Sequence, residues 1–317
     1  MKINKSTIIM MAILTLGALV AAPLLYVFVG PHLNQTQIET LIILVSVMGG
    51  SVLFCFLVGQ ATHNNSQMDK LWSILPAVYT WVCAFKDNLN PRLVLMAVLV
   101  TLWCLRLTMN FARKGAYKLK FWEGEEDYRW KVLREDSMFK GHKIRWIIFN
   151  LFFICLYQNF VVLAITFPSL AVMGSTPILG WTDFLVAGIM LFFIIYETVA
   201  DEQQWKFQIE KWAMINSGKK LDELPTPYNL GFNTVGLWNR SRHPNYLGEQ
   251  AIWLTFYFFT LACLTGFSWS MAGGLMLVVL FAGSSQMQES ISTSKYPLYS
   301  DYCQKCSKFL PFKKYRG

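Results

Sequence analysis

The sequence contains little charge for its length. Only 15% of its 317 residues are charged and 54% are hydrophobic, whereas an average soluble domain is about 25% charged. This composition excludes an ordinary soluble domain, and the long apolar runs indicate a protein that lies in a lipid bilayer. Internal repeats and low-complexity stretches are also lacking, so we interpret the chain as an integral membrane protein without a repeat architecture.

Patterns typical of metal sites are scarce as well. The chain has seven cysteines and four histidines. Cys303 and Cys306 have CxxC spacing, but one pair without a second pair or nearby histidines is weak evidence for zinc or for redox chemistry. The other cysteines lie in apolar runs and are expected to be inert core residues: Cys55, Cys83, Cys104, Cys155 and Cys263. We therefore predict no metal site.

Eight apolar runs are candidate membrane spans. They cover about residues 6–30, 38–59, 71–86, 91–111, 145–172, 178–200, 247–264 and 266–284. The third run is short and contains Tyr79 and Trp81, so we expect it to be tilted or partly buried among other helices. The sequence thus predicts an all-α, polytopic membrane helix bundle.

Lysine and arginine are distributed unevenly between the segments that join these runs. Segment 112–145 carries ten of them, segment 201–246 carries six, and the tail after residue 284 carries six. The N-terminus adds two and segment 60–70 adds one, so that 25 of the 28 basic residues fall on one side of an eight-span chain. The positive-inside rule then predicts that both termini and the large loops are cytoplasmic, and we expect a bacterial inner membrane.

The net charge of +9 fits this arrangement. Basic residues near a membrane attract anionic lipids, so most of the excess charge is explained without another partner. We therefore expect membrane lipids as partners and predict no nucleic-acid partner, while the sequence leaves the oligomeric state open.

The first run contains small residues from Gly17 to Pro23 in a pattern similar to a signal-peptide cleavage site. The run continues to Val29, which favours a retained helix over a cleaved signal. We expect an N-terminal transmembrane helix in residues 1–36 and a larger membrane domain in residues 37–317.

A dense polar cluster stands at the start of the seventh apolar run. Burying charge at such a boundary is costly, so the cluster indicates a site for an anionic, hydrogen-bonding ligand. Arginine offers a planar fork for phosphate, and asparagine can pair with a carboxamide. The alternative is an interfacial anchor belt. The cluster consists of Arg242, His243, Asn245, Tyr246 and Glu249.

A second candidate group precedes this cluster in the chain. Glu197, Asp201 and Gln204 have the i, i+4, i+7 spacing of one helix face. Their oxygens could accept hydrogen bonds from ribose hydroxyls, or the carboxylates could pair with Arg242. A solvated helix end is the alternative.

Two charged residues lie at or inside predicted spans. Asp69 stands at the entrance of the short third run, where an apolar environment would raise its pKa and let it act as an acid. Alternatively, Asp69 is the N-cap of that span. Arg106 lies inside the fourth run, where it either faces a cavity or extends to the membrane surface.

In this order, these pieces resemble the membrane-bound steroid 5-alpha-reductase C-terminal superfamily, and most closely its mostly bacterial branch of unknown function, DUF1295. The resemblance covers about residue 40 to the end of the chain. Its matching stretches are Asp69–Pro76, Leu102–Arg106, Glu126–Trp130, Asp201–Phe207, Gly236–Glu249 and the tail from Glu289 through Phe309-Leu310-Pro311.

The resemblance implies a seven-span core to which the first run is an addition. It also implies NADPH, held by Asn245, Glu249, Glu197 and Asp201, and reduction of a carbon–carbon double bond that is conjugated to a ketone in a steroid-like or other lipid. The cofactor set predicted from the residues adds Gln204, Arg242, His243 and Tyr246.

In steroid reductases a carboxylate and a tyrosine bind the substrate ketone, and here Asp69 takes the position of the carboxylate. The position of the tyrosine, three residues before Arg106, holds Trp103, whose indole cannot deliver a proton. Tyr79 is the alternative donor. We therefore predict Asp69 and Tyr79 as catalytic residues and Trp72, Trp103 and Arg106 as substrate contacts.

Two other functions stay open. Isoprenylcysteine-type methyltransferases, which use S-adenosylmethionine, carry an element similar to the Arg-His-Pro-x-Tyr of residues 242–246. Asn245, followed by Gly248 and Glu249, favours the reductase. A non-enzymatic lipid-binding membrane protein is the third possibility, and Arg106 argues against it.

Overall fold

The computed structural model describes residues 23–263 and 266–315, together with Gly17 and Val20. Within these residues the chain folds into helices and contains no β-strand, so the predicted all-α class is confirmed. Of the first predicted run, Gly17, Val20 and residues 23–30 lie within the described residues, and residues 23–28 are helical.

The helices that position the candidate site are numbered in chain order. Helix α6 contains a π-helical segment, Asn150–Tyr157. The bounds are α1 Gln35–Thr62, α2 Gln67–Trp72, α3 Leu75–Lys86, α4 Pro91–Ala112, α5 Tyr128–Arg134, α6 Lys143–Ala164, α7 Phe167–Ala171, α8 Trp181–Asn216, α9 Pro244–Cys263, α10 Ala272–Lys295 and α11 Tyr299–Lys305.

Five helices in the described part of the chain are long and apolar enough to cross a membrane. They are α1, α4, α6, α8, and α10 together with the short turn before it, Trp269–Lys295. The protein is therefore a multi-pass membrane protein, although the predicted count of eight spans is not confirmed.

Two predicted runs form helices that are not among these five. The third run is divided between α2 and α3, which have 6 and 12 residues. A helix of 12 residues is about 18 Å long, shorter than the roughly 30 Å hydrocarbon core. The seventh run is α9, which has 20 residues and begins at Pro244, but its first turns carry polar side chains.

Local sequence explains where the helices begin. A capping box starts α1, because Asn34 Oδ1 accepts from the Gln37 amide and Gln37 Oε1 accepts from the Asn34 amide, both at 2.9 Å. Asn90 starts α4 by accepting from the Arg92 amide at 3.1 Å. Pro244 occupies the first position of α9, where its missing N–H costs no hydrogen bond.

The chain divides into two compact units. Unit 1 comprises Met1–Met190 and Trp253–Leu280, and unit 2 comprises Leu191–Ile252 and Phe281–Gly317. Helices α8, α9 and α10 each contribute residues to both units.

A buried ion pair joins two helices of unit 1. Arg92, at the start of α4, donates from Nε to Asp183 Oδ1 at 2.7 Å and from Nη2 to Oδ2 at 3.0 Å, near the start of α8. This bidentate geometry makes the burial of both charges tolerable.

Unit 2 is held together by the C-terminal tail. The amides of Arg242 and His243 donate to the carbonyls of Ser307 and Lys308 at 2.9 and 3.1 Å. An aromatic core supports this contact and contains Phe232, Tyr299, Tyr302, Cys306 and Tyr315. The tail therefore fixes the segment that leads into α9.

Candidate functional site

Asp69 lies within helix α2 and does not cap a span. The N-cap of α2 is Ser66, and the N-cap of α3 is Ile74. The suggestion that Asp69 is the N-cap of the third span is therefore wrong, because residues 67–72 form a separate short helix before that span begins.

Asp69 belongs to a pair of carboxyl groups with opposite pKa shifts. Asp69 Oδ2 accepts a hydrogen bond from Trp130 Nε1 at 2.9 Å. Burial raises the pKa of Asp69, and the negative charge of Asp127 raises it further. Burial alone would also raise the pKa of Asp127, but the charge and hydrogen bonds of Arg129 hold it below its usual range. The raised pKa favours the protonated form of Asp69, and the lowered pKa favours the ionised form of Asp127.

The segment that contains Asp127 and Trp130 is fastened directly to α2. Lys70 is buried and donates from Nζ to the carbonyls of Phe121 and Glu123 at 2.6 and 2.7 Å. Ser66 Oγ accepts from the Asp127 amide at 2.9 Å. These bonds keep the partners of Asp69 in place.

Tyr79 is fully buried in α3, and its hydroxyl has no hydrogen-bond partner among the described residues. Cys55 of α1 lies close to Tyr79, and also to Asp69, Cys155 and Asn159. The two predicted catalytic residues therefore share a neighbour, Cys55.

Three residues of this neighbourhood were not predicted as site residues: Asn150, Cys155, which was expected to be an inert core residue, and Asn159. Cys155 Sγ lies 3.5 Å from Asn150 Oδ1, and Asn159 Nδ2 donates to the Cys155 carbonyl at 2.8 Å. Asn150 Nδ2 and Asn159 Oδ1 have no hydrogen-bond partner in the described part of the chain. Two asparagines inside an apolar run are the signal that could have revealed this group.

The π-helical segment explains how the group forms. In an α-helix, residues five apart lie on different faces, whereas a π-helical turn brings residues i and i+5 together. The segment Asn150–Tyr157 places Asn150 beside Cys155, and the following α-helical turn adds Asn159. A polar stripe thus runs along one face of α6.

The predicted substrate contacts are also in unit 1. Trp72 is the last residue of α2. Trp103 is fully buried in α4 and packs edge-on against Trp253, with ring centroids 4.9 Å apart. Arg106 is partly buried on α4, and Thr108, two residues later, donates to Ser73 Oγ at 2.9 Å. The C-terminal part of α4 therefore contacts Ser73, the residue that follows Trp72.

In unit 2, the start of α9 packs against α8 at the predicted cofactor residues. Asn245 Nδ2 donates to Asp201 Oδ1 at 3.3 Å. A Cβ on Gly248 would lie 2.7 Å from the Cβ of Glu197, so only glycine permits this approach. Glu197, Asp201 and Glu249 are buried. Gln204 Oε1 is buried and has no hydrogen-bond partner among the described residues.

Gln203 is a further residue that the sequence did not reveal. Its Oε1 accepts from the Leu237 amide at 2.8 Å, and Trp238 Nε1 donates to the Ala200 carbonyl at 3.0 Å. Gly236 adopts a positive φ of 64°, and a Cβ there would lie 2.5 Å from Gln203 Oε1. These contacts hold the chain against α8 just before the polar cluster.

Arg242 pairs with a carboxylate other than those suggested from the sequence. Its Nε donates to Glu289 Oε1 at 2.7 Å, and its Nη1 donates to the carbonyls of Cys303, at 2.8 Å, and Cys306. The pairing with Glu197 or Asp201 is therefore corrected to Glu289. Because the tail holds the backbone of Arg242, the side chain is directed to α10 and α11.

His243 uses the same carboxylate. Its Nε2 lies 3.0 Å from Glu289 Oε1. Burial lowers the pKa of His243, although Glu289 opposes this shift, so the ring is neutral at neutral pH and donates its Nε2 proton. The His243 ring stacks on Tyr246, with centroids 5.3 Å apart and an interplanar angle of 15°.

The predicted site residues thus fall into two groups. Unit 1 contains the predicted catalytic and substrate residues Asp69, Trp72, Tyr79, Trp103 and Arg106. Unit 2 contains the predicted cofactor residues Glu197, Asp201, Gln204, Arg242, His243, Asn245, Tyr246 and Glu249.

Comparisons with known proteins identify a family without assigning an activity. A family model described as a protein of unknown function, DUF1295, matches residues 55–306, which include all of these site residues. An uncharacterized protein of Schizosaccharomyces pombe is 35% identical over 286 residues, covering 85% of this chain and 78% of that protein. No solved structure matches. Because this relative is fungal, the comparison gives no support to a bacterial membrane.

Proposed function

This chain belongs to the DUF1295 family, whose function is unknown, and from its site residues we propose that it is a membrane-embedded, NADPH-dependent reductase. The substrate is a lipid with a carbon–carbon double bond conjugated to a ketone. One observation carries the proposal: Asp69, with a raised pKa, lies beside Asp127, with a lowered one. A raised pKa favours the protonated carboxyl group, which is the acid that such a reduction needs.

The residues of unit 2 fit a nicotinamide dinucleotide. Asn245 and Gln204 offer amide groups to a carboxamide, and the buried Gln204 Oε1 is an acceptor without a partner in the described residues. The carboxylates of Glu197, Asp201 and Glu249 can accept from ribose hydroxyls. Arg242 and His243, both bonded to Glu289, position the start of α9. Tyr246 supports His243 by stacking.

The residues of unit 1 handle the substrate and the proton. NADPH, when bound, supplies the hydride. Asp69 delivers a proton to the oxygen on which negative charge develops, and Trp130 fixes its orientation through Oδ2. Tyr79 is a second buried donor. Trp72, Trp103 and Arg106 line the substrate, and Trp103 contributes contact area rather than a proton.

The proposed topology has both termini and the large basic loops in the cytoplasm. It is supported by the strong bias of lysine and arginine to one side of the predicted spans. In this orientation the cytoplasmic loops would meet NADPH, while an apolar substrate would reach the protein from the bilayer.

Calorimetric titration of NADPH into the purified full chain tests the cofactor assignment. Asn245→Ala and Glu249→Gln should each weaken binding by about 1–3 kcal/mol, because each leaves a buried hydrogen-bonding group without its partner. Glu210→Gln, an exposed position on α8, is the matched control and should leave the affinity unchanged.

Unchanged affinity in both Asn245→Ala and Glu249→Gln would remove these residues from the site. A parallel titration separates the other functions. Binding of S-adenosylmethionine in place of NADPH would favour a methyltransferase, and binding of neither would favour a lipid-binding protein.

A further inference from the structure

A groove in unit 2 has no role in the reductase proposal. It is bounded by Arg242 and by most of the residues from 303 to 313, and it has a volume of about 400 Å³. We call it the tail groove. Its wall is formed largely by the short segment after α11, which has the sequence Lys308-Phe309-Leu310-Pro311-Phe312-Lys313.

The tail groove is positively charged. Three basic side chains line it, Arg242, Lys308 and Lys313, and none of the described residues that line it is acidic. Glu289 offsets the charge of Arg242 through their hydrogen bond. Lys308 and Lys313 therefore give the groove its net charge, which is complementary to an anion.

The rim of the same groove exposes large apolar side chains. Phe312 is 83% exposed and Leu310 is 52% exposed. Lys308 lies over the ring of Phe309, with its Nζ 5.6 Å from the centroid. Aromatic and aliphatic side chains interleaved with lysine are typical of segments that lie in the headgroup region of a bilayer.

The segment that exposes Phe312 is held in place by hydrogen bonds. The Lys313 amide donates to Ser307 Oγ at 3.0 Å, and the Tyr315 amide donates to the Asn239 carbonyl at 2.8 Å. The Tyr315 side chain is buried in the aromatic core of unit 2. Before Phe312, the Lys308 carbonyl accepts from the His243 amide at 3.1 Å. The fold therefore holds Phe312 outward between anchored positions at Lys308 and Lys313.

We propose that the tail groove binds the phosphate headgroup of an anionic membrane lipid, with Phe312 and Leu310 in the interfacial apolar layer. The charge selects an anionic headgroup, and the exposed rim selects a lipid over a free phosphate. A chain with several membrane-spanning helices has such lipids at hand. The proposal is independent of the reductase activity.

Amide hydrogen exchange of residues 308–315 in the full-length protein tests the proposal. The protein is reconstituted in nanodiscs of phosphatidylcholine alone or of phosphatidylcholine with about one third phosphatidylglycerol. Since each lysine near an anionic surface strengthens binding several-fold, we expect about tenfold slower exchange in the anionic discs. Raised salt should reduce this protection.

Variants separate charge from apolar contact. Lys308→Gln with Lys313→Gln should lose the difference between the two discs, whereas Phe312→Ser should speed exchange in both discs. Lys219→Gln with Lys220→Gln, two exposed lysines elsewhere in unit 2, should retain it. Equal exchange of the wild-type segment in both discs would overturn the proposal, as would protection that persists in the groove variants. Equal protection by inorganic phosphate in neutral discs would overturn the lipid assignment.

Discussion

At the scale of single residues, Asp69 carries the proposed chemistry. Asp69→Asn should preserve NADPH binding but slow turnover by about a hundredfold or more, because asparagine keeps the size and has no acidic proton. The measurement is NADPH oxidation with a panel of enone lipids, alongside thermal stability.

The control for this substitution is Glu135→Gln, an exposed carboxylate in the segment that follows α5. It should leave turnover unchanged. Full activity of Asp69→Asn with unchanged stability would shift the proton donor to Tyr79, whose hydroxyl is buried without a partner among the described residues.

The pKa of Asp69 also predicts a pH dependence. Asp69 must be protonated to donate, so turnover should be highest below its raised pKa and fall as pH rises through it. Trp130 stabilises the ionised carboxylate through its hydrogen bond. Trp130→Phe should therefore raise the pKa further and move the fall in rate to higher pH.

Asp127→Asn should move the fall in turnover to lower pH, because the negative charge of Asp127 favours the protonated form of Asp69. The measurement is the pH profile of turnover for the wild type and both variants. If turnover fell at the same pH in all three proteins, the pH dependence would not be due to Asp69.

At the scale of elements, the approach of α9 to α8 organises the proposed cofactor site. Gly248→Ala would place a Cβ 2.7 Å from the Cβ of Glu197. Separating the helices should cost about 1–3 kcal/mol in the free energy of unfolding and weaken NADPH binding. Chemical unfolding and calorimetry measure the two effects.

Gly188→Ala on α8 is the matched control. A Cβ at Gly188 meets nothing within 4 Å, so the helix propensity of alanine should stabilise this variant slightly. If Gly248→Ala behaved like Gly188→Ala, the contact between Gly248 and Glu197 would not constrain the cofactor site.

At the scale of the whole molecule, the basic loops predict the orientation in the membrane. Lys120 is exposed in the loop between α4 and α5, so Lys120→Cys should react with a membrane-impermeant maleimide only after the cells are opened. Asn88→Cys, exposed in the turn between α3 and α4, should react in intact cells. Mass spectrometry of the labelled peptide distinguishes these sites from the native cysteines. Labelling of Lys120→Cys in intact cells would contradict the proposed orientation.

The sequence by itself determined the features that depend on neighbouring residues. Apolar runs gave the membrane class and most of the helices, because a span needs only a continuous apolar segment. The spacing of Glu197, Asp201 and Gln204 placed them on one helix, since helical periodicity is local.

Only the tertiary structure decided which distant groups meet. Asp69 lies opposite Trp130, Arg242 binds Glu289, and the π-helical turn of α6 joins Asn150 to Cys155. No local pattern specifies these partners, because they depend on how separate segments pack and on which buried polar groups must be satisfied together. For the same reason, the sequence left open whether Asp69 is an acid or the N-cap of the third span, whereas the structure excludes the cap because Asp69 lies inside its own short helix.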